Sequence, residues 1–324
     1  MKTLVEAVNE ALHHELDRDP SVLVMGEDVG VLGGVFRATA GLRDRFGPER
    51  CFDTPLAEAG IIGTAVGLAL AGWRPVCEMQ FDAFSYPGLD QLITHVGRYR
   101  ARSGGAVQMS LVVRMPYGGG VRAPELHQDS PETYYVHPAG IKVAVPSTPA
   151  DAKGLLSAAI RDPDPVVIFE PKRLYRSLRG EVPPGDWVVP LGQASVVAPG
   201  DDITLIAYGA MVSVALDARA TLAEDGTSAE VIDLRTLKPL DEDTVLDSVR
   251  KTGRAVVVQE AARTCGFGAE VAAILAEKAI FDLRGPVVRV TGYDVPYPPY
   301  SIENAFLPST QRVVEAARRI REMT

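Results

Sequence analysis

The sequence predicts an α/β protein of two doubly wound domains, and three observations carry that prediction. Short apolar runs alternate with amphipathic stretches along most of the chain, acids and glycines gather directly after those runs, and a Pro/Gly-rich crossing lies near residues 181–186. Alternating strands and helices pair in parallel through right-handed crossovers, and 324 residues suffice for two cores. The expected division is residues 1–185 and 186–324.

Leu4, Val5, Val8, Leu12 and Leu16 fall near helical spacing and predict a helix over 3–18, stopped at Asp19-Pro20. A buried strand over 21–25 delivers Glu27 and Asp28 to its carboxyl end, where open α/β sheets bind ligands. Gly30, Gly33 and Gly34 form a flexible loop, followed by a helix over 39–46. Next comes Glu58, a lone carboxylate heading an apolar helix, with Thr54 as its N-cap and Pro55 in its first turn. Gly60, Gly63, Gly67 and Ala71 recur at three- and four-residue spacing, a side-chain-poor stripe expected to be buried. The bland account of Glu58 is an acid complementing the helix dipole.

A strand over 75–81 follows and ends in polar and aromatic residues, Gln80, Phe81, Asp82, Phe84 and Tyr86. A helix over 89–102, a strand over 110–114, and a glycine run at 118–120 lead to His127. A histidine in a polar loop after a glycine-rich turn suggests chemistry, since packing does not require it. His13, His14 and His95 fall in helical patterns and are expected at the surface. Strands over 140–146 and 165–170 flank a helix over 150–160 and complete the first domain. The second reads as strands over 203–208, 230–233, 255–259 and 287–291, with helices over 212–223, 242–251, 269–280 and 310–323.

Composition excludes several classes. A net charge of −9 argues against nucleic acid as the main ligand. The N-terminus is an amphipathic helix interrupted by acids and not a signal peptide. The longest apolar run, 59–73, is short and glycine-rich for a membrane span. Cys51, Cys77 and Cys265 are odd in number and far apart, which reads as reduced, buried thiols in a cytoplasmic protein. No Gly-x-Ser-x-Gly elbow, Walker loop or His-Glu-x-x-His pair occurs. Gly266-Phe267-Gly268 follows a strand and opens a helix, but Val271 stands where a dinucleotide fingerprint needs a third small residue.

What remains is a set of groups at the strand ends of the first domain: Glu27, Glu58, Gln80, Phe84, Tyr86 and His127. A buried carboxylate beside aromatic rings suits a hydrogen bond to the protonated nitrogen of a flat heterocycle. Several motifs carry a family resemblance: Gly26-Glu27-Asp28-Val29, Thr54-Pro55-Leu56-Ala57-Glu58, Glu78-Met79-Gln80-Phe81, His127-Gln128-Asp129-Ser130-Pro131-Glu132, Phe169-Glu170-Pro171-Lys172 and Pro296-Tyr297-Pro298. The chain resembles, over essentially its whole length, the β subunit of the thiamine-diphosphate-dependent decarboxylase of 2-oxo acid dehydrogenase complexes. Gly34-Val35-Phe36-Arg37 and Gly41-Leu42-Arg43-Asp44 are more similar to the branched-chain members than to the pyruvate members.

The resemblance implies a thiamine-pyrimidine-binding domain followed by a smaller transketolase C-terminal-like domain. It implies that Glu58 bonds N1′ of the cofactor's aminopyrimidine and promotes the tautomer that activates the thiazolium carbon. Phe84 would stack on the pyrimidine, with Leu56, Ala57 and Gln80 beside it. Glu27 and Tyr86 would lie toward the 2-oxo acid substrate, and His127 would handle protons as the acyl group passes to lipoamide. A potassium site can occur in the family, near Leu111, Val112, Ala159, Asp162 and Asp164 here, although Asp164 replaces the expected asparagine. The family's Mg²⁺-binding Gly-Asp-Gly motif is absent, since the chain has only Gly185-Asp186-Trp187 and Gly200-Asp201-Asp202. The resemblance therefore implies an α subunit that holds the Mg²⁺ and diphosphate in an α₂β₂ tetramer, which docks on a lipoyl-bearing acyltransferase core. The reaction implied is oxidative decarboxylation of a branched-chain 2-oxo acid with reductive acylation of lipoamide. Alternatives are the pyruvate counterpart, a nicotinamide dehydrogenase using the Gly266 turn, a non-catalytic docking subunit, and transketolase-like carboligation.

Overall fold

The computed structural model describes residues 1–323, which fold around two large sheets, with a short antiparallel pair, Lys2–Thr3 and Arg179–Gly180, beside them. The first has seven strands in the order Thr236–Lys238, Lys142–Ala144, Val166–Pro171, Val112–Tyr117, Arg74–Glu78, Val22–Gly26, Cys51–Asp53. All neighbours are parallel except the edge strand Thr236–Lys238, which runs antiparallel to Lys142–Ala144. Both faces are covered, which is why these strands read as near-continuous apolar runs. Val24, Val76, Val112 and Ile168 pack with the helices Leu4–Arg18 and Pro149–Arg161. Leu23, Cys77, Val113 and Met115 face the helix Glu58–Leu70 and the turns around Leu92 and Val96.

The second sheet orders Val288–Gly292, Ala255–Ala262, Ile203–Ala207, Ala229–Asp233, Ser195–Ala198, with only the last strand antiparallel. Helices Met211–Glu224 and Thr310–Glu322 cover one face, and Glu242–Thr252 and Phe267–Lys278 the other. The doubly wound reading therefore holds for both halves.

The halves are interlocked. Thr236–Lys238 lies in the second half of the sequence yet completes the first sheet. Trp187 Nε1 donates to Ala150 O at 3.1 Å and Val189 N to Gly154 O at 3.1 Å, so this crossing lies against the Pro149–Arg161 helix. Between the sheets Tyr208 donates to Glu132 Oε1 at 2.6 Å, and burial pushes the Glu132 carboxyl up to about 8.

Under the first sheet's carboxyl end lies a buried charge triad. Arg114 donates through Nε and Nη2 to Glu170 at 2.7 and 2.6 Å, and through Nη1 to Glu78. All three are 0–3% exposed, and Tyr175 adds a hydrogen bond to Glu170. Burial opposes the guanidinium charge, yet Glu170 and Glu78 outweigh it and hold Arg114 well above its usual value.

Several sequence expectations change. The helix expected over 39–46 shortens to Leu42–Phe46, because Gly41 stands at φ +78° and breaks the turn before it. The strand expected over 140–146 shortens to Lys142–Ala144, with Gly140 at φ +80°. The helix expected over 89–102 starts at Tyr86 and passes through a π-turn at Leu92–Val96. Cys265 is exposed, in a turn at φ +55°, whereas Cys51 and Cys77 are buried and pushed up to about 12, mainly by burial. His95 is exposed, but His13 and His14 are half-buried. Among the described residues no helix is long and apolar enough to cross a membrane.

Candidate active site at the strand ends

The Val22–Gly26 strand ends on Gly26, where a Cβ would stand 2.6 Å from Glu78 O; neighbouring strands thus meet closely and Glu27 turns inward. Asp53, at the next strand's end, accepts from Gly30 N at 2.6 Å and Val31 N at 3.1 Å and fixes the glycine loop over this edge.

The chain from Thr54 to Ala57 is irregular, bending at Leu56, with Thr54 N donating to Gly26 O at 2.9 Å. The helix therefore begins at Glu58, its N-cap is Ala57 with no side-chain cap, and Thr54 and Pro55 play no part in it. Glu58 sits at the first helical position, at the positive end of the dipole. The glycine stripe is not buried within this chain, for Gly60 and Gly67 are exposed and Gly63 half-buried. A Cβ on Gly67 would meet nothing within 4 Å.

Glu27 and Glu58 are 7% and 9% exposed, and neither carboxylate has a hydrogen bond or ion pair among the described residues. Burial first, then the charges of Glu58 and Asp28, push Glu27 above its usual range. The oxygens of both acids stay open to solvent, so water or a ligand can supply their donors, and burial weighs on the Glu27 charge. The raised value sets the sign of a test. Below the ordinary carboxyl value of 4.5 both folded and unfolded chains are protonated; as pH rises through the folded value, the folded state loses stability. Glu27→Gln is expected to raise Tm at about pH 7 and leave it unchanged at about pH 4 in thermal melts. An equal shift at both pH values would point to packing instead.

Gln80 Nε2 donates to Asp28 Oδ2 at 2.8 Å, so it braces the loop after Glu27. Phe81 and Phe84 meet edge-on with centroids 5.5 Å apart, and His127 packs against both, at 4.4 and 4.8 Å. His127 Nδ1 lies 3.0 Å from Glu125 O; a carbonyl only accepts, so Nδ1 carries the proton and Nε2 the free lone pair. Tyr86 faces elsewhere, donating to Asp129 Oδ2 at 2.8 Å and packing on Tyr134. Leu56, 78% exposed, and Ala57 form the outer rim.

Sequence reasoning did not assign Asp82 and Lys172, a fully buried ion pair beside this cluster. Burial pushes Asp82 up to about 6 against the pull of Lys172, and burial lowers Lys172. Asp82 Oδ1 also accepts from Asp129 N at 3.1 Å, and Lys172 Nζ lies 5.6 Å from the Phe81 centroid. The only signal in the sequence was an acid set among aromatics.

Around the residues suggested for potassium several carbonyls already hold one hydrogen bond, and each keeps a second lone pair. Leu111 O accepts from Val166 N, Ala159 O from Asp162 N, and Asp162 O from Arg74. Val112 is in a strand ladder. Lys142 bonds both Asp162 oxygens at 2.8 Å, and Arg100 claims Asp164. His14, Glu15 and Asp186 cluster as ligands would, but Arg161 bridges Glu15 and Asp186 and makes this an ion-pair network.

The Gly266 turn is filled by its own chain. Gln259 Oε1 accepts from Gly268 N at 2.5 Å, and a Cβ on Gly266 would lie 1.9 Å from Gln259 Nε2. The amide that a pyrophosphate would use is already taken, which argues against nicotinamide binding there. A groove of about 870 Å³ between Leu89, Tyr134, Leu237 and Phe267 contains none of the strand-end carboxylates.

Comparison with known proteins matches residues 1–177 to the transketolase pyrimidine-binding domain and residues 192–313 to the transketolase C-terminal domain. The chain is 53% identical over 316 residues to the pyruvate dehydrogenase E1 component subunit beta of Staphylococcus epidermidis, covering 98% of this chain and 97% of that one. It is 50% identical over 319 residues to the 3-methyl-2-oxobutanoate dehydrogenase subunit beta of Mycobacterium tuberculosis, covering 98% and 91%. Among solved structures, a split-gene transketolase described as an inactive beta4 tetramer superposes with a TM-score of 0.82 at 25% identity, covering 99% and 98%.

Proposed function

Since the chain belongs to the E1 β subunits of the 2-oxo acid dehydrogenases, we propose that it forms half of a thiamine-diphosphate site in an α₂β₂ decarboxylase for branched-chain 2-oxo acids. One observation carries the reading: Glu58 and Glu27 are largely covered acids with no hydrogen bond or ion pair among the described residues, and their open oxygens can accept from a protonated aminopyrimidine nitrogen. When bound, the cofactor supplies a carbon nucleophile that attacks the keto group and stabilises the charge left by CO₂. Glu58 holds the proton at the ring nitrogen, while Phe84 supports the ring face and Leu56 and Ala57 border it. Glu27, its carboxyl raised above the ordinary range by burial and the neighbouring acids, serves the substrate side as a proton donor. Gln80 acts at one remove, bracing the loop after Glu27 through Asp28, and Tyr86 shapes the base of the His127 loop through Asp129.

The absence of Gly-Asp-Gly supports an α chain that supplies the Mg²⁺ and diphosphate contacts. The exposed Gly60 and Gly67 give the Glu58 helix a face that another helix can approach closely. The carbonyls suggested for potassium keep a lone pair beside their hydrogen bonds, so a potassium ion there is compatible with this reading. The acidic balance suits a basic docking segment of a lipoyl-bearing acyltransferase core, and the absence of a crossing helix among the described residues is compatible with a cytoplasmic complex.

His127 Nε2 is the atom that takes and returns a proton as the acyl group passes to lipoamide. His127→Ala is expected to lower lipoamide acylation about 10²-fold or more while sparing decarboxylation with an artificial electron acceptor. Equal losses in both assays would remove that role. The reading as a whole is tested by co-expression with an α chain carrying Gly-Asp-Gly and a substrate panel. Higher kcat/KM for 3-methyl-2-oxobutanoate than for pyruvate is expected; the reverse order would favour the pyruvate reading, which the 53% identity to a pyruvate β subunit independently supports.

A further inference from the structure

The segment carrying His127 is a loop whose feet meet, with Gly118 N donating to Asp129 O at 2.9 Å. One foot is held from within the first domain. Asp129 N donates to Asp82 Oδ1 at 3.1 Å, Tyr86 donates to Asp129 Oδ2, and Lys172 fixes Asp82 from behind.

The other foot is held from the second domain. Gly119 N donates to Glu260, and Gly120 N donates to Glu303 Oε1 at 2.9 Å. Tyr297 donates to that same Glu303 oxygen at 2.8 Å. A Cβ on Gly119 would lie 1.8 Å from the Tyr297 hydroxyl, so only glycine permits this approach. Glu260 and Glu303 are 5% and 3% exposed. A carboxylate that gives up water to bond a loop amide makes a short, directional contact, stronger than a neutral hydrogen bond. Beyond Gly120 the loop turns outward. Val121 and Leu126 are 39% and 46% exposed, and Leu126 stands at φ +64° directly before His127.

We infer that Glu303, with Glu260 and Tyr297, is a positioning group for His127: the C-terminal domain grips Gly119 and Gly120 and thereby sets where the imidazole stands for acyl transfer. The inference rests on the proposed role of His127. Its physical content is separate, because the grip is a property of the loop whatever the histidine does.

The test uses the assembled α/β enzyme and the pair Glu303→Ala and Glu303→Gln, since glutamine keeps an acceptor oxygen for Gly120 and Tyr297. Amide hydrogen exchange of residues 118–130 is expected to quicken about tenfold or more in Glu303→Ala and to stay near wild type in Glu303→Gln, with the Ile203–Ala207 strand unchanged in both. Lipoamide acylation is expected to fall about tenfold or more in the alanine variant, decarboxylation with an artificial acceptor by less than about threefold, and glutamine to restore both. Unchanged loop exchange in Glu303→Ala overturns the grip, and so does faster exchange throughout the second domain. A loosened loop without selective loss of acylation overturns the positioning role. If His127→Ala itself shows no selective loss, the failure lies in the proposed role of His127, and the exchange data still decide the grip.

Discussion

Glu58→Gln is expected to slow activation of the bound cofactor by about 10²–10⁴-fold, read as exchange of the thiazolium C2 proton in the assembled enzyme. Glutamine keeps the shape of the side chain and its acceptor oxygen, but an amide cannot take and return a proton at the ring nitrogen. The same substitution should not harm the fold. Glu58 is bonded to nothing else described in the chain, and its charge faces Glu27, so removing it relieves repulsion and lets Glu27 fall back toward its usual range. Unaltered melting with exchange lost is therefore the expected pair of results. Exchange at the wild-type rate would remove Glu58 from this role, and loss of folding would show that its charge supports the helix start.

The second large effect concerns stability. Arg114→Met is expected to cost about 3–5 kcal/mol, because it leaves Glu78 and Glu170 buried side by side without their common cation. Urea denaturation followed by fluorescence measures the cost. Replacing Arg114, Glu78 and Glu170 together by apolar residues of similar volume should recover most of it, since the penalty belongs to the unpaired charges and not to lost volume. A cost below about 1 kcal/mol for the single variant would mean that water or a rearranged Lys or Arg reaches the site. Damage would spread to the candidate active site, because a Cβ on Gly34 would stand 3.0 Å from Glu78 Oε1 and the glycine loop rests on that carboxylate.

The regular part of this fold was legible because parallel strands covered on both faces are apolar along their whole length, as in 203–208 and 255–259. Among the strands that escaped notice, Cys51–Asp53, Ser195–Ala198 and Thr236–Lys238 are three or four residues long at sheet edges, and Lys2–Thr3 and Arg179–Gly180 only two, too short for any period to show. Glu27, Phe84 and His127 could be picked out because each follows a strand or glycine turn, and Glu58 because it is a lone acid at the head of an apolar helix. Thr54 as a cap failed for a local reason: its backbone is held by Gly26 and the helix starts four residues later. The glycine stripe was expected to be buried because small residues imply close packing, yet among the described residues nothing covers Gly60 and Gly67. Lys172 for Asp82, and Glu303 for Gly120, lie 90 and 183 residues from their partners, and only the assembled topology brings them together.

The strand Thr236–Lys238 has a consequence for how the protein is made. Until it leaves the ribosome, the finished N-terminal sheet presents Lys142–Ala144 as an open edge, and an open edge invites pairing with another nascent chain. The N-terminal half is thus closed only once synthesis is well into the C-terminal half, so the two mature together instead of one after the other.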